Sequence, residues 1–180
     1  MTIDPDDYLV PPMKWSQIDA RAAALRDMLK VGNTPYLDVV RIVENVLCNL
    51  MEVAEFQIGT KQEMGRAEGL TCPQGTFIRF REDVYERACE GDGRARFTFA
   101  HELGHLALHK NAPMARASKR DGTRAYMLAE PQANRFAAAL LMPRAHIFAP
   151  DESADLMTRF GVSWEAASNR LSDLKNKGEL

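Results

Sequence analysis

Cysteine is scarce in this 180-residue chain, and its three copies, Cys48, Cys72 and Cys89, are scattered. They form no CxxC pair and no even-numbered framework, which excludes a disulfide scaffold and a cysteine-built zinc knuckle. Long apolar runs are also missing. The stretch from Phe136 to Pro143 ends at proline, and nothing approaches the roughly 20 residues that cross a bilayer. The opening MTIDPDDYLV lacks a basic segment leading into an apolar one, so no secretory signal is expected, and a reducing cytoplasm is the expected location. Neither charge sign dominates: 23 Lys and Arg face 25 Asp and Glu, a net charge of −2, which argues against bulk electrostatic coating of nucleic acid. At 46% hydrophobic and 27% charged residues, the composition excludes wholesale disorder and provides for one core, so a single domain over residues 1–180 is expected.

Histidine is sparse but clustered. Of four, His101, His105 and His109 fall within nine residues, and only His146 stands apart. The first two frame His101-Glu102-Leu103-Gly104-His105, an HExxH motif. On a helix, residues i and i+4 share a face one turn apart, so two imidazoles can bind one tetrahedral zinc ion. Glu102 is rotated about 100° from His101 around such a helix. From there a carboxylate can take a proton from an attacking water and return one to a leaving amine. The flanking RFTFAHELGHLALH is apolar on all sides, which predicts a buried helix whose polar groups need partners. The alternative is a pair of core histidines satisfied by ordinary hydrogen bonds.

Two histidines do not complete a catalytic zinc site. The three-histidine pattern HExxHxxGxxH fails here, with Leu108 and Asn111 at its remaining positions. His109 lies two helical turns from His101, about 12 Å along the axis, and reads as a histidine facing the dipole at the helix C-terminus. Glu130 is the better third ligand. It is the only acid between Asp121 and Asp151, and it opens the apolar run EPQANRFAAALLMP. Asn134, four residues on, shares its face and can hold a zinc-binding histidine by a hydrogen bond. Pro131 then either makes Glu130 an N-cap or kinks a longer helix. The alternative for Glu130 is a solvated carboxylate at a helix start.

Around this centre the patterning predicts an irregular arm over residues 1–15 and a helix from an N-cap at Ser16 to about Lys30. A second helix follows, from Thr34-Pro35 to about Leu50. Strands are expected at Met51–Ile58 and Thr76–Arg81, with Ile78 and Phe80 on one face and Phe77 and Arg79 on the other. The second strand is expected to offer an edge for a substrate segment. Helices are expected over Arg94–His109, up to Leu141, over Asp151–Arg159, and over Trp164–Lys175 with Ser163 as N-cap. For the donor that stabilises an oxyanion, Tyr126 lies one turn before Glu130, ahead of Tyr85 and His146. Residues Lys110–Arg124 carry five basic residues against Asp121 alone, a stretch that suits an acidic partner or single-stranded nucleic acid as trigger, or simply a solvated loop.

Three blocks in order, REDVYERACEGDGRARFTFAHELGHLALH, EPQANRFAAALLMP and RFGVSWEAASNRL, resemble the ImmA/IrrE family of zinc metallopeptidases over roughly residues 76–175. The resemblance implies an α+β, mainly helical, zincin-like fold with a small antiparallel sheet and a C-terminal helix-turn-helix-like pair. Within it, residues 1–50 would be N-terminal helices, 51–143 the zincin core and 144–180 a C-terminal helical part. It implies one zinc ion on His101, His105 and Glu130, and Glu102 as base. The implied substrate is a partner repressor of the helix-turn-helix type, cut to release a stress, mobile-element or defence response. Cys72 departs from the pattern. If its Gly/Pro loop reaches the zinc, the thiolate can fill the fourth position and hold the enzyme latent; otherwise it is an inconsequential loop cysteine.

The rival class is a DNA- or partner-binding regulator with a structural or vestigial metal site, suggested by the C-terminal helix pair. From Asp151 to Leu180, six acidic residues face four basic ones, and the last helix opens Trp164-Glu165-Ala166, without side chains that read base edges. A cysteine hydrolase lacks any local signature.

Overall fold

The computed structural model describes residues 7–116 and 123–180. Strand β1 (Tyr8–Leu9) leads into helix α1 (Trp15–Met28) and then α2 (Val39–Arg41), which continues as π-helical turns over Ile42–Leu50. Strand β2 (Glu55–Gly59), the single turn α3 (Lys61–Met64), β3 (Gly69–Thr71) and β4 (Phe77–Arg81) follow. Helices α4 (Glu82–Cys89) and α5 (Gly93–His109), strand β5 (Ala115–Arg116) and helix α6 (Ala129–Leu141) build the centre, and α7 (Ser153–Phe160) and α8 (Trp164–Asn176) close the chain. The result is an α+β, mainly helical fold.

The sheet is small, as expected, and mixed in sense. Its order is β2-β4-β3, with β2 and β4 parallel and β3 antiparallel to β4. Residues 60–76 supply the crossover that a parallel pair requires. β4 therefore lies in the middle, which corrects the expectation that it offers a free edge; the edges belong to β2 and β3. Ile78 and Phe80 are fully buried on one face of β4, as alternation predicts. Phe80 stacks on Phe99 of α5 with ring centroids 3.6 Å apart, which docks the sheet against the central helix. A separate two-stranded ladder pairs β1 with β5, turning part of the expected Lys110–Arg124 loop into strand. Lys119 and Arg120 of that basic stretch lie outside the described residues.

Helix α5 begins at Asp92, whose carboxylate accepts a hydrogen bond from Ala95 N at 2.8 Å. It packs closely on α6. At Gly104 a β-carbon would meet Ala133 Cα and O at 3.1 Å, so the bare backbone is what lets the two helices approach. Arg96, buried in α5, donates to Leu37 O at 2.8 Å and Phe160 O at 3.1 Å, and so ties the central helix to both flanks. One apolar cluster draws side chains from Ile18 to Leu174.

Several boundaries shift for local reasons. The N-cap of α1 is Lys14, not Ser16, and Gln17 in the first turn accepts from Lys14 N at 2.9 Å. The second helix starts at Val39, not at Pro35, because Asp38 caps Arg41 N while Thr34 gives its carbonyl to the buried Arg26. Ser163 does cap α8, accepting from Ala166 N at 3.3 Å. Pro131 neither follows an N-cap nor kinks a helix. The N-cap of α6 is Leu128, so proline sits third in the first turn, where the missing N–H has no partner to lose.

Candidate metal centre

Helices α5 and α6 bring three donors to one point. His101 and His105 lie one turn apart on α5, with their Nε2 atoms 2.9 Å from each other. Glu130, in the first turn of α6, places Oε2 3.1 Å from His101 Nε2 and Oε1 3.2 Å from His105 Nε2. These separations match the edges of a tetrahedron of ligand atoms around a zinc-sized ion, roughly 3.3 Å. Among the described residues, these three form the group of His, Cys, Asp and Glu side chains close enough to share an ion. Two nitrogens and one carboxylate leave a fourth position open, as a catalytic metal site does.

Both imidazoles are held from behind. His101 Nδ1 donates to Asn134 Oδ1 at 3.0 Å, the contact expected from the ExxxN spacing. His105 Nδ1 lies 3.1 Å from His109 Nδ1, and His109 Nε2 lies 3.1 Å from Gln132 Oε1. His109 ends α5, as the sequence suggests, and is buried there against a ligand. Burial pushes its pKa down to about 4, against the opposing hydrogen bond from Gln132, so the ring is neutral at pH 7. Burial alone would raise the Glu130 carboxyl; hydrogen bonds and charge from His101 and His105 reverse this and hold it well below the usual carboxylate range. Burial works against His101 protonation, yet Glu130 raises its pKa on balance. An ion held here would place a positive charge beside the Glu130 carboxylate.

Glu102 faces β3, on the wall of a cavity that His105 and Glu130 also line. It is buried, and its Oε2 lies 2.8 Å from Thr71 Oγ, a hydroxyl also 2.9 Å from the Glu102 carbonyl. Gly69 leaves space for this carboxylate, because a β-carbon there would stand 2.5 Å from Glu102 Cγ. The first turn of α6 is braced by the N-terminal arm. The buried Asp7 carboxylate accepts from Tyr8 N at 2.7 Å and from Glu130 N at 3.1 Å. Burial and the nearby charge of Glu130 raise the Asp7 pKa, and the backbone donors oppose them. A cavity of about 510 Å³ opens over Glu102, His105 and Glu130, walled by β3, the Cys72 loop and Tyr8. A second hollow of about 680 Å³ takes in Pro131 and Asn134.

The remaining expected residues fall as follows. Cys72 lines the 510 Å³ cavity but stands outside the group of three donors. Its thiol donates to Gln74 Oε1 at 3.0 Å and accepts from Thr76 Oγ at 3.1 Å, and the Thr76 contact lowers its pKa. Tyr126 contributes its carbonyl to Gln132, while its ring is not part of the cavity wall; the phenol found there is Tyr8. Tyr85 packs against Phe56 and Phe99 and donates to Glu44, with burial pushing its pKa up to about 12. His146 bonds Gly32 O. Neither belongs to the site. Sequence reasoning missed Gln132, Thr71, Gly69, Asp7 and Tyr8. Only Gly69 carried a visible signal, as a glycine just ahead of Cys72.

A mainly helical α+β fold with two histidines of an HExxH helix and a downstream glutamate at one point defines a metallopeptidase domain. Residues 56–172 match the model of the Peptidase_M78 family, described as the IrrE N-terminal-like domain, and the chain belongs to that family. No curated protein matches it. Among the described residues, no helix is long and apolar enough to cross a membrane.

Proposed function

We propose that this chain is a cytoplasmic zinc endopeptidase that cleaves a helix-turn-helix repressor as its protein partner. The observation that carries the peptidase reading is the placement of Glu102 beside the three-donor group, facing the cavity that β3 walls. A purely structural metal site has no use for a buried carboxylate on the wall of the cavity that its ligands line. When bound by His101, His105 and Glu130, zinc supplies a Lewis acid that polarises the scissile carbonyl and acidifies water. Glu102 takes the proton from the attacking water and delivers it to the leaving amine, with Thr71 fixing the carboxylate. The edge of β3 away from β4 presents backbone groups to an extended substrate segment, which adds as a strand. Tyr8 is the phenol at the cavity and supplies the hydrogen bond to the oxyanion.

The repressor reading rests on the three sequence blocks and their likeness to the ImmA/IrrE peptidases. Its test is to mix the zinc-loaded protein with the helix-turn-helix protein encoded beside it. Cleavage by the wild type and none by Glu102→Gln is the expected result. Zinc-loaded wild type that leaves every neighbour-encoded repressor intact under inducing conditions would overturn it.

A further inference from the structure

We infer that His109, held by Gln132, is the positioning residue that fixes the proton on Nδ1 of His105 and thereby frees its Nε2 for the metal. The inference rests on the metal-site reading above, but it concerns protons whose places the hydrogen-bond geometry determines.

The protons are set from the far end of the chain of contacts. The Gln132 amide is fully buried, and its Nε2 lies 2.8 Å from Tyr126 O and 3.1 Å from Pro11 O. Both carbonyls can only accept, so the amide nitrogen must face them and Oε1 must face His109. Oε1 can only accept too, so His109 carries its proton on Nε2, across 3.1 Å. With that proton on Nε2, His109 offers its Nδ1 as the acceptor. His105 Nδ1, 3.1 Å away, must be the donor of that contact. With its one proton on Nδ1, His105 presents a lone pair at Nε2, the atom that converges with His101 and Glu130. His101 reaches the same state through Asn134 alone. His105 reaches it through two further side chains, and the last of them is anchored by Pro11. Since Pro11 lies in the N-terminal arm, outside the matched residues 56–172, a segment beyond the family core takes part in setting the metal site.

Zinc affinity and proton positions test this; peptidase activity is not the readout. The affinity is measured by chelator competition for the wild type, His109→Leu and His109→Asn, with circular dichroism to confirm folding. Leucine removes the acceptor and should weaken zinc binding about 10–100-fold. Asparagine returns an acceptor oxygen near the Nδ1 position and should stay within about fivefold of wild type. A folded His109→Leu protein with wild-type affinity would overturn the inference. Should that variant not fold, ¹⁵N NMR of the wild type decides. A proton on Nε2 of His109 and on Nδ1 of His105 is expected. A proton on Nδ1 of His109, or two protons on that ring at pH 7, overturns the relay. Failure of the wild type to bind zinc at all would instead strike the metal-site reading, and the NMR result on the zinc-free protein would still decide the relay.

Discussion

The backbone of Gly69 faces the side chain of Glu102 so closely that a β-carbon on residue 69 would lie 2.5 Å from Glu102 Cγ and 2.8 Å from Oε1. An edge strand and the proposed base thus share one space, and glycine is the residue that permits it. Gly69→Ala should push Glu102 off its bond to Thr71 without touching His101, His105 or Glu130. A misplacement of about 1 Å can cost on the order of 10²-fold in rate. The expected outcome is a kcat lowered about 10–100-fold with zinc stoichiometry and affinity unchanged, read by steady-state kinetics beside metal analysis. A loss of bound zinc in equal measure would place the damage in the ligand set instead.

Removing the base itself separates binding from chemistry. Glu102→Gln keeps the shape, and the amide can still accept from Thr71 Oγ at the 2.8 Å contact. It cannot take a proton. Loss of a positioned general base costs about 10²–10⁴-fold, so kcat should fall by that factor while zinc remains bound at one ion per chain. The Glu102→Gln protein should also hold an uncut substrate, so a stable complex with the partner in gel filtration is the second readout.

How much of this was legible beforehand depends on how far each relationship reaches. The HExxH pair is local, fixed by helical spacing, and it stands where the spacing puts it. Glu130 was legible for a different reason: it is the only acid in a long stretch, so few alternatives compete. His109 stands outside the three donors, as its axial distance from His101 predicts, but its contact with His105 was hidden. One turn separates it from His105, and its partner Gln132 comes from another helix. The three residues of β3 are too few to show alternation, so the central place of β4 was hidden. Asp7 and Tyr8 depend on the arm folding back to pair with residues around 116 and 128, which no local pattern announces.

Away from the site, Asp151 gives a pH dependence with a definite sign. Its buried carboxylate accepts from Phe148 N at 2.7 Å and from both terminal nitrogens of Arg159. The Arg159 contacts hold its pKa below the ordinary carboxylate value, despite the opposing effect of burial. A depressed folded pKa means stability that is fully present above the unfolded value of about 4 and is lost as pH falls through the folded one. Asp151→Asn should therefore destabilise the protein at pH 7 by about 1.5–3 kcal/mol, the range for hydrogen bonds to charged groups. The gap between the two proteins should close progressively below pH about 4. Urea unfolding at a series of pH values measures it; a gap that stays constant into acid would show that the charge contributes nothing.

Tyr8 and Tyr126 make opposite predictions from neighbouring backbone. The two segments meet where Leu9 bridges Leu128, and Val10 N donates to Met127 O at 3.0 Å. Tyr8 lines the cavity with Glu102 and Glu130, whereas the role seen for Tyr126 is its carbonyl, which accepts from Gln132 and from Met13 N. Replacing either by phenylalanine leaves these backbone contacts in place and removes one hydroxyl. If the Tyr8 phenol donates to the oxyanion, Tyr8→Phe should lower kcat on the order of 10²-fold, the scale of one lost oxyanion donor, with little change in KM. Tyr126→Phe should leave both constants at wild-type values. The pair is informative because the sequence alone favours Tyr126, one helical turn before Glu130, and the fold favours Tyr8, more than a hundred residues away. Steady-state kinetics on one partner substrate, run for both variants side by side, separates the two. A large loss in Tyr126→Phe with none in Tyr8→Phe would return the role to the residue that local spacing picks.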